Sequence, residues 1–251
     1  MLNLNLFVTF FWLSLSSGLI LPGIWFLIDC KINLSIINFI LHRFGHYGKL
    51  TNNGLISKSY FLYFYFFGLL INLIFFICHL SFFLLFVLFL LHLSRRLYEC
   101  MYIQKFTSKL NFLQIFFGLI HYPCVGLTII IDYKYSYTNI QFSRYIFALI
   151  IFFNASYIQH NVHLQLAKLI RYEIPNGYWI FNYLSCPNII AEIFIYISFL
   201  LASHRTSAMF ALIVWVFVNQ SLSALLNHRW YCRYYKESYP TNRYALIPFI
   251  L

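Results

Sequence analysis

The sequence predicts an all-α fold, a polytopic membrane bundle of about seven transmembrane helices, with residues 1–251 forming one membrane-embedded domain. Three observations carry that prediction. Of the 251 residues, 62% are hydrophobic and 22% aromatic while only 9% are charged, whereas a soluble domain needs roughly a quarter charged to cover its surface. Apolar runs of spanning length recur along the chain. The basic residues alternate between dense and sparse connections.

The first run, Leu4 to Ile28, has no basic residue before it and is longer than a signal-peptide core, so it is read as a retained span. Tyr60 to Leu93 follows, 34 residues without a charge. As one helix it would extend ~51 Å against a hydrocarbon core of ~30 Å, so it is read as two spans meeting near His79-Leu80-Ser81. Leu110 to Ile131, Tyr145 to about Gln159, Asn188 to Ala202 and Thr206 to Leu226 supply the remaining four.

Short cytoplasmic loops collect Lys and Arg. Lys31, Arg43, Lys49 and Lys58 fall in loop one, Arg95, Arg96, Lys105 and Lys109 in loop three, Lys168 and Arg171 in loop five, and Arg229, Arg233, Lys236 and Arg243 in the tail. These 14 cations face only three, Lys134, Arg144 and Arg205, in the even-numbered loops. The asymmetry predicts an N-terminus outside the cytosol and a C-terminus inside it. The formal charge of +11 is thereby a statement about bilayer sides, and no nucleic-acid partner is expected.

The six cysteines stand singly, without C-x-x-C pairs or zinc spacing, and no metal is expected. Asn-x-Ser sequons at Asn33, Asn154 and Asn219 fall on the cytosolic side or within spans, where glycosylation is not expected. The chain lacks G-x-G-x-x-G and G-x-x-x-x-G-K-[ST], so any dinucleotide must be held by the helix bundle itself.

Polar residues set against the hydrophobic trend are the candidates for chemistry. Glu192 lies inside an apolar run with Asn188 four residues before it on the same helical face. An intramembrane carboxylate is costly enough to suggest function, and a polar pair joining two helices is the equal alternative. Gln159, His160, His163, Lys168 and Arg171 cluster where a span emerges, a cationic end suited to a phosphate-bearing ligand or to lipid headgroups. His42 and His46 sit among glycines as loop residues. Asn227 to Tyr231 and Ser238 to Arg243 read as interface anchors by composition.

The stretch Tyr172-Glu-Ile-Pro-Asn-Gly-Tyr-Trp, then Ser185-Cys-Pro-Asn-Ile-Ile-Ala-Glu192, His228-Arg-Trp-Tyr231 and Tyr239-Pro-Thr-Asn-Arg-Tyr-Ala-Leu-Ile-Pro-Phe249 resembles the C-terminal signature of the steroid 5α-reductase family. Leu91-His-Leu-Ser-Arg-Arg-Leu-Tyr-Glu-Cys-Met-Tyr102, Phe117-Gly-Leu119, Val125-Gly-Leu-Thr128 and His46-Tyr-Gly-Lys49 resemble its polyprenol (polyprenal) reductase branch. The resemblance implies a seven-helix enzyme of the endoplasmic reticulum membrane. Such an enzyme takes hydride from NADPH and reduces the α-isoprene double bond of a long-chain polyprenal on the route to dolichol, which supports protein N-glycosylation. Its partners would be substrate and membrane lipid, with no obligate protein partner.

Carried over residue by residue, the resemblance makes Asn188, Glu192 and Tyr231 cofactor contacts, with His228 beside Tyr231. Arg171 corresponds to the Arg closing the helix before Ile-Pro, and Tyr172 adjoins it. Gln159 and His163 stand where steroid enzymes have Asn and Asp. Glu173 departs from the family's Arg before Ile-Pro, and the segment from Arg171 to Ile174 is shorter than in the polyprenol relatives. Leu93 occupies the place of the steroid enzymes' catalytic Tyr, and His46-Tyr47 that of their acidic partner. The catalytic candidates are therefore Tyr47, Tyr98 and Glu99. Competing readings are steroid 3-oxo-5α reduction, a membrane prenyl-lipid methyltransferase, and a lipid transporter, although the paired halves expected of a transporter are not visible.

Overall fold

The computed structural model describes residues 2–28, 56–57, 60–79, 83–105, 109–110, 112–134, 141–169 and 173–246. Seven α-helices lie among them: α1 (Leu2–Ile28), α2 (Phe61–Cys78), α3 (Phe83–Tyr102), α4 (Phe112–Lys134), α5 (Phe142–Lys168), α6 (Pro187–Ala202) and α7 (Ser207–Tyr235). They correspond one for one to the seven expected spans. The long uncharged run does break where its length required, at His79, whose N–H bonds to Phe76 O at the end of α2. The protein is an all-α membrane helix bundle.

Three segments, Phe61–Cys78, Gln114–Lys134 and Ser207–Ser238, are long and apolar enough to cross a bilayer, and Leu4–Leu19 and Pro187–Ala202 are shorter apolar helices. Large apolar side chains such as Phe7, Phe10, Phe67, Ile77, Phe147 and Phe153 are exposed, which in water would be an aggregation liability and in lipid is the expected outer face.

Arg95 and Arg96 correct the reading of loop three. Both lie within α3 and are bound to Glu99 of the same helix, so they are compensated intrahelical charges. Without these two the division of cations is 12 to three, the same asymmetry. A short antiparallel pairing, Ile56 with Leu110 and Ser57 with Lys109, joins loop one to loop three. It brings Ser57 beside Lys109.

Helices α5 and α6 pack along one another, as do α1 and α7, while α2 packs on both α3 and α4. The core between them is filled by Trp12, Phe86, Phe89, Leu93, Ile129, Phe152, Ile195, Tyr196, Phe199 and Leu212. Without a hydrophobic driving force between helices in lipid, close approach depends on small residues, and the α2–α4 contact has three of them. A Cβ on Gly68 would stand 2.7 Å from Tyr122 Cβ, one on Gly118 2.6 Å from the Phe64 ring, and one on Gly126 would collide with Asn72 Oδ1. Asn72 uses the proximity: its Nδ2 donates to Gly68 O at 2.7 Å and to Tyr122 O at 3.0 Å.

The ends of the bundle are tied by polar contacts. Asp132, buried at the end of α4, accepts hydrogen bonds from His204 N, Thr206 N and Thr206 Oγ1, which satisfies free donors entering α7. The C-terminal segment folds back on the approach to α6. Ser185 N donates to Tyr244 O, Tyr244 N to Tyr183 O, and Arg243 Nη1 to Pro175 O.

Candidate active site

Helix α3 begins as an almost purely apolar element and turns polar in its last three turns, where His92, Arg95, Arg96 and Glu99 follow at spacings of three or four and so share one face. That face meets α5 and α6. Glu99, fully buried, is the hub. Its Oε1 accepts from Arg95 Nη1 at 2.6 Å and lies 3.0 Å from His160 Nδ1. Its Oε2 accepts from Arg96 Nη1 at 2.5 Å and lies 2.7 Å from His163 Nδ1. His163 Nδ1 is also 2.8 Å from Arg96 Nη1. It carries one hydrogen or one lone pair, and so serves one of these partners at a time.

The network continues to α6 through Gln159. Arg95 Nη2 donates to Gln159 Oε1, and Gln159 Nε2 donates to Glu192 Oε2 at 2.6 Å and to Asn188 O at 3.2 Å. His92 Nε2 stands 3.3 Å from Glu192 Oε1. The two carboxylates thus sit at opposite ends of one chain of contacts. Toward α2, Arg96 donates from Nε and Nη2 to the hydroxyl of Tyr65 at 3.2 and 3.0 Å.

A cavity of about 320 Å³ opens beside this chain. Its polar wall carries Arg96, Gln159, His163, Asn188 and Glu192 together with Asn219, Gln220, Ser223 and Asn227 of α7. Its apolar wall is built from Phe11, Trp12, Phe61, Phe64, Phe117 and Trp215, with Tyr65, His121, Tyr122 and Tyr196 between the two. Such a space suits a ligand with one polar and one greasy part.

The structure brings Gln159, His163, Asn188, Glu192 and Glu99 together, five of the residues singled out from sequence. Glu99 does not line the cavity. Its oxygens are taken by the arginines, so in this arrangement it orients cations and offers no proton to a ligand. Tyr98, one residue earlier, is 53% exposed and packs against Tyr102, on the outer side of α3. Tyr47, Arg171 and Tyr172 lie outside the described residues.

His228 and Tyr231 form a separate cluster at the end of α7. His228 Nδ1 is 2.6 Å from Ser185 Oγ, which accepts from the Tyr239 hydroxyl at 2.7 Å. Tyr231 stacks on Tyr239 at 5.5 Å, and the Arg243 guanidinium covers Tyr239. Burial raises the Tyr239 phenol above its ordinary value, so it stays a donor to Ser185. These contacts brace the turn that starts α6 through Ser185, three residues before Asn188.

Sequence reasoning passed over Tyr65, His92, Arg95 and Arg96 as site residues, and also the α7 wall. Asn219, Ser223 and Asn227 do recur at intervals of four on an apolar helix, a legible stripe. Tyr65 had no signal of its own among the aromatics of α2.

A reduced nicotinamide fits the donor set at α6. Its carboxamide needs one acceptor and one donor. Glu192 Oε1 lies outside the Gln159 bond and, with His92 Nε2 3.3 Å away, keeps a lone pair to accept with, while the Asn188 side-chain amide makes no hydrogen bond to another described residue.

The sequence has relatives among known proteins. Residues 103–251 match the 3-oxo-5-alpha-steroid 4-dehydrogenase family, and the chain belongs to that family. Among its relatives are the polyprenal reductases of rat and human, each 34% identical over 193 residues, 68% of this chain and 58% and 60% of theirs. That of Caenorhabditis elegans is 31% identical over 182 residues, 64% of this chain and 58% of its own. The chain spans about three-fifths of the length of these curated relatives.

Proposed function

We propose that this chain is an NADPH-dependent polyprenal reductase, an oxidoreductase acting on a CH–CH group, with residues 1–251 as one membrane-embedded domain. The observation that carries the reading is a cavity whose polar wall holds Asn188, Glu192 and Gln159 and whose other wall is aromatic. The first suits a nicotinamide and an aldehyde, the second an isoprene chain. Bound there, the cofactor supplies hydride; the protein supplies position and field.

In this reading Asn188 and Glu192 hold the carboxamide, Gln159 fixes Glu192, and His163 completes the wall through Arg96. Arg171 and Tyr172 meet phosphate. His228 and Tyr231 fix the turn before α6. The aldehyde of an enal draws electrons from the α-isoprene double bond, so its β-carbon accepts hydride when the carbonyl oxygen is polarised. The location is the endoplasmic reticulum membrane, N-terminus luminal and C-terminus cytosolic, and the product feeds dolichol formation for protein N-glycosylation.

The test is an assay of detergent-solubilised protein with NADPH and a short polyprenal, read by mass spectrometry. A gain of two hydrogens is expected, and none with S-adenosylmethionine in place of NADPH. Because the matching family is described by a steroid activity, a 3-oxo-4-ene steroid belongs in the same assay. Faster turnover of the steroid would reassign the substrate.

A further inference from the structure

We propose that Tyr65 is the proton donor of the reaction, a catalytic residue held in place by Arg96. The proposal rests on the reductase reading above and assigns the acid that the reading requires.

The requirement is chemical. Hydride addition to the β-carbon of an enal moves the π electrons onto the carbonyl oxygen, and that developing charge needs a donor within hydrogen-bond reach. Among the described phenols and imidazoles of the cavity wall, His121 and Tyr196 are paired with one another, Nε2 to hydroxyl at 3.1 Å. His163 is drawn back between Arg96 and Glu99. Tyr65 is held differently.

Two N–H groups of Arg96 point at the Tyr65 oxygen, which places a cation where charge appears once the proton leaves. The Tyr122 hydroxyl, the remaining phenol of this wall, is itself paired with Tyr65 by a side-chain hydrogen bond, and with the Tyr65 oxygen engaged by these donors its hydroxyl hydrogen remains to be given toward the cavity. The guanidinium itself cannot swing away, since its remaining Nη1 is fixed to Glu99. Glu99 and Arg96 are positioning residues, and Tyr65 alone of the three offers a transferable proton at the wall.

The step balances as follows. The β-carbon of the enal gains hydride from the reduced nicotinamide, which leaves oxidised. The carbon–carbon π pair shifts toward the carbonyl, and its oxygen becomes an enolate. Tyr65 transfers its proton to that oxygen and is left as a phenolate facing Arg96. The enol tautomerises to the saturated aldehyde, and water reprotonates Tyr65 before the next turnover.

The experiment uses the full chain in detergent with NADPH and a short polyprenal. Tyr65→Phe removes one oxygen and is expected to lower kcat at least 100-fold, with the rise in melting temperature on adding NADPH retained. Tyr63→Phe, an exposed tyrosine of the same helix away from the cavity, serves as the comparison and should keep kcat within about fivefold. If Tyr65→Phe does not accumulate, a ring-fluorinated tyrosine at position 65 should move the alkaline limb of the kcat profile to lower pH. A Tyr65→Phe enzyme within threefold of wild type, or a fluorinated one with an unmoved limb, overturns the assignment. An inactive wild type that NADPH does not stabilise overturns the reductase reading itself, and is thereby distinct from an active wild type with an active Tyr65→Phe.

Discussion

Replacing Glu99 by Gln keeps shape and removes charge, which makes it the most direct test of the buried network. Glu99 holds Arg95 and Arg96 at 2.6 and 2.5 Å and has no exposed surface. The variant loses two charge-assisted hydrogen bonds, worth ~1.5–3 kcal/mol each, and leaves Arg96 buried without its counter-charge. Breaking one side of a buried pair costs ~3–5 kcal/mol, and the two figures describe the same loss. At ~2–4 °C per kcal/mol for a chain of this size, the melting temperature in detergent, followed by tryptophan fluorescence, should fall by ~6–20 °C. Turnover should fall as well, because a released guanidinium no longer fixes Tyr65 or His163, and displacement of about 1 Å near a reacting centre can cost ~100-fold. Combining Glu99→Gln with Arg95→Gln should recover part of the stability and none of the turnover, since Arg96 still lacks its anchor. A Glu99→Gln protein that melts within 2 °C of wild type with full activity would refute the claim that the carboxylate organises this site.

Asn188→Ala and Glu192→Ala should each abolish turnover while the protein inserts and accumulates, with the NADPH-induced rise in melting temperature lost; near-normal turnover at limiting NADPH would remove both from the cofactor site. A tag after Leu251 should be digested by protease added outside sealed microsomes, and protection would invert the proposed orientation. Gly126→Ala should lower stability by up to ~2 kcal/mol, because the collision with Asn72 Oδ1 costs ~1–3 kcal/mol and the helix propensity of Ala returns ~1 kcal/mol; thermal melting would show it. His228→Phe keeps an aromatic ring and loses the bond to Ser185 at 2.6 Å. It should reduce turnover severalfold through the turn before α6, whereas unchanged activity would leave His228 a plain interface residue.

The helices were legible because lipid makes their requirement simple: every backbone polar group must be satisfied within the segment, so runs of apolar residues with a minimum length are spans. The arithmetic of that minimum also divided the run from Tyr60 to Leu93. It misplaced Arg95 and Arg96, because a rule that sends cations to loops has no term for a carboxylate one turn away. In α3 the pair and Glu99 compensate each other inside the helix, which lets charge remain where counting would exclude it. The short ladder between Ile56–Ser57 and Lys109–Leu110 was equally out of reach, since two residues carry no periodicity.

The candidate site divides along the same physical line. Glu192 and Asn188 announced themselves because an uncompensated polar pair on an apolar helix is costly and therefore conspicuous. Tyr65 did not, because a phenol among Tyr60, Tyr63 and the six Phe residues of α2 looks like any interface aromatic. What distinguishes it is a partner 31 residues away, and that partner is identified only through Glu99, which is identified in turn through His163 on a third helix. Each link is an interhelical contact with no spacing rule in the sequence. A buried cation must still be neutralised and hydrogen-bonded, so the position of Arg96 constrains that of Tyr65 as firmly as backbone geometry constrains a helix. The acid at the cavity wall is therefore a property of how α2, α3 and α5 meet.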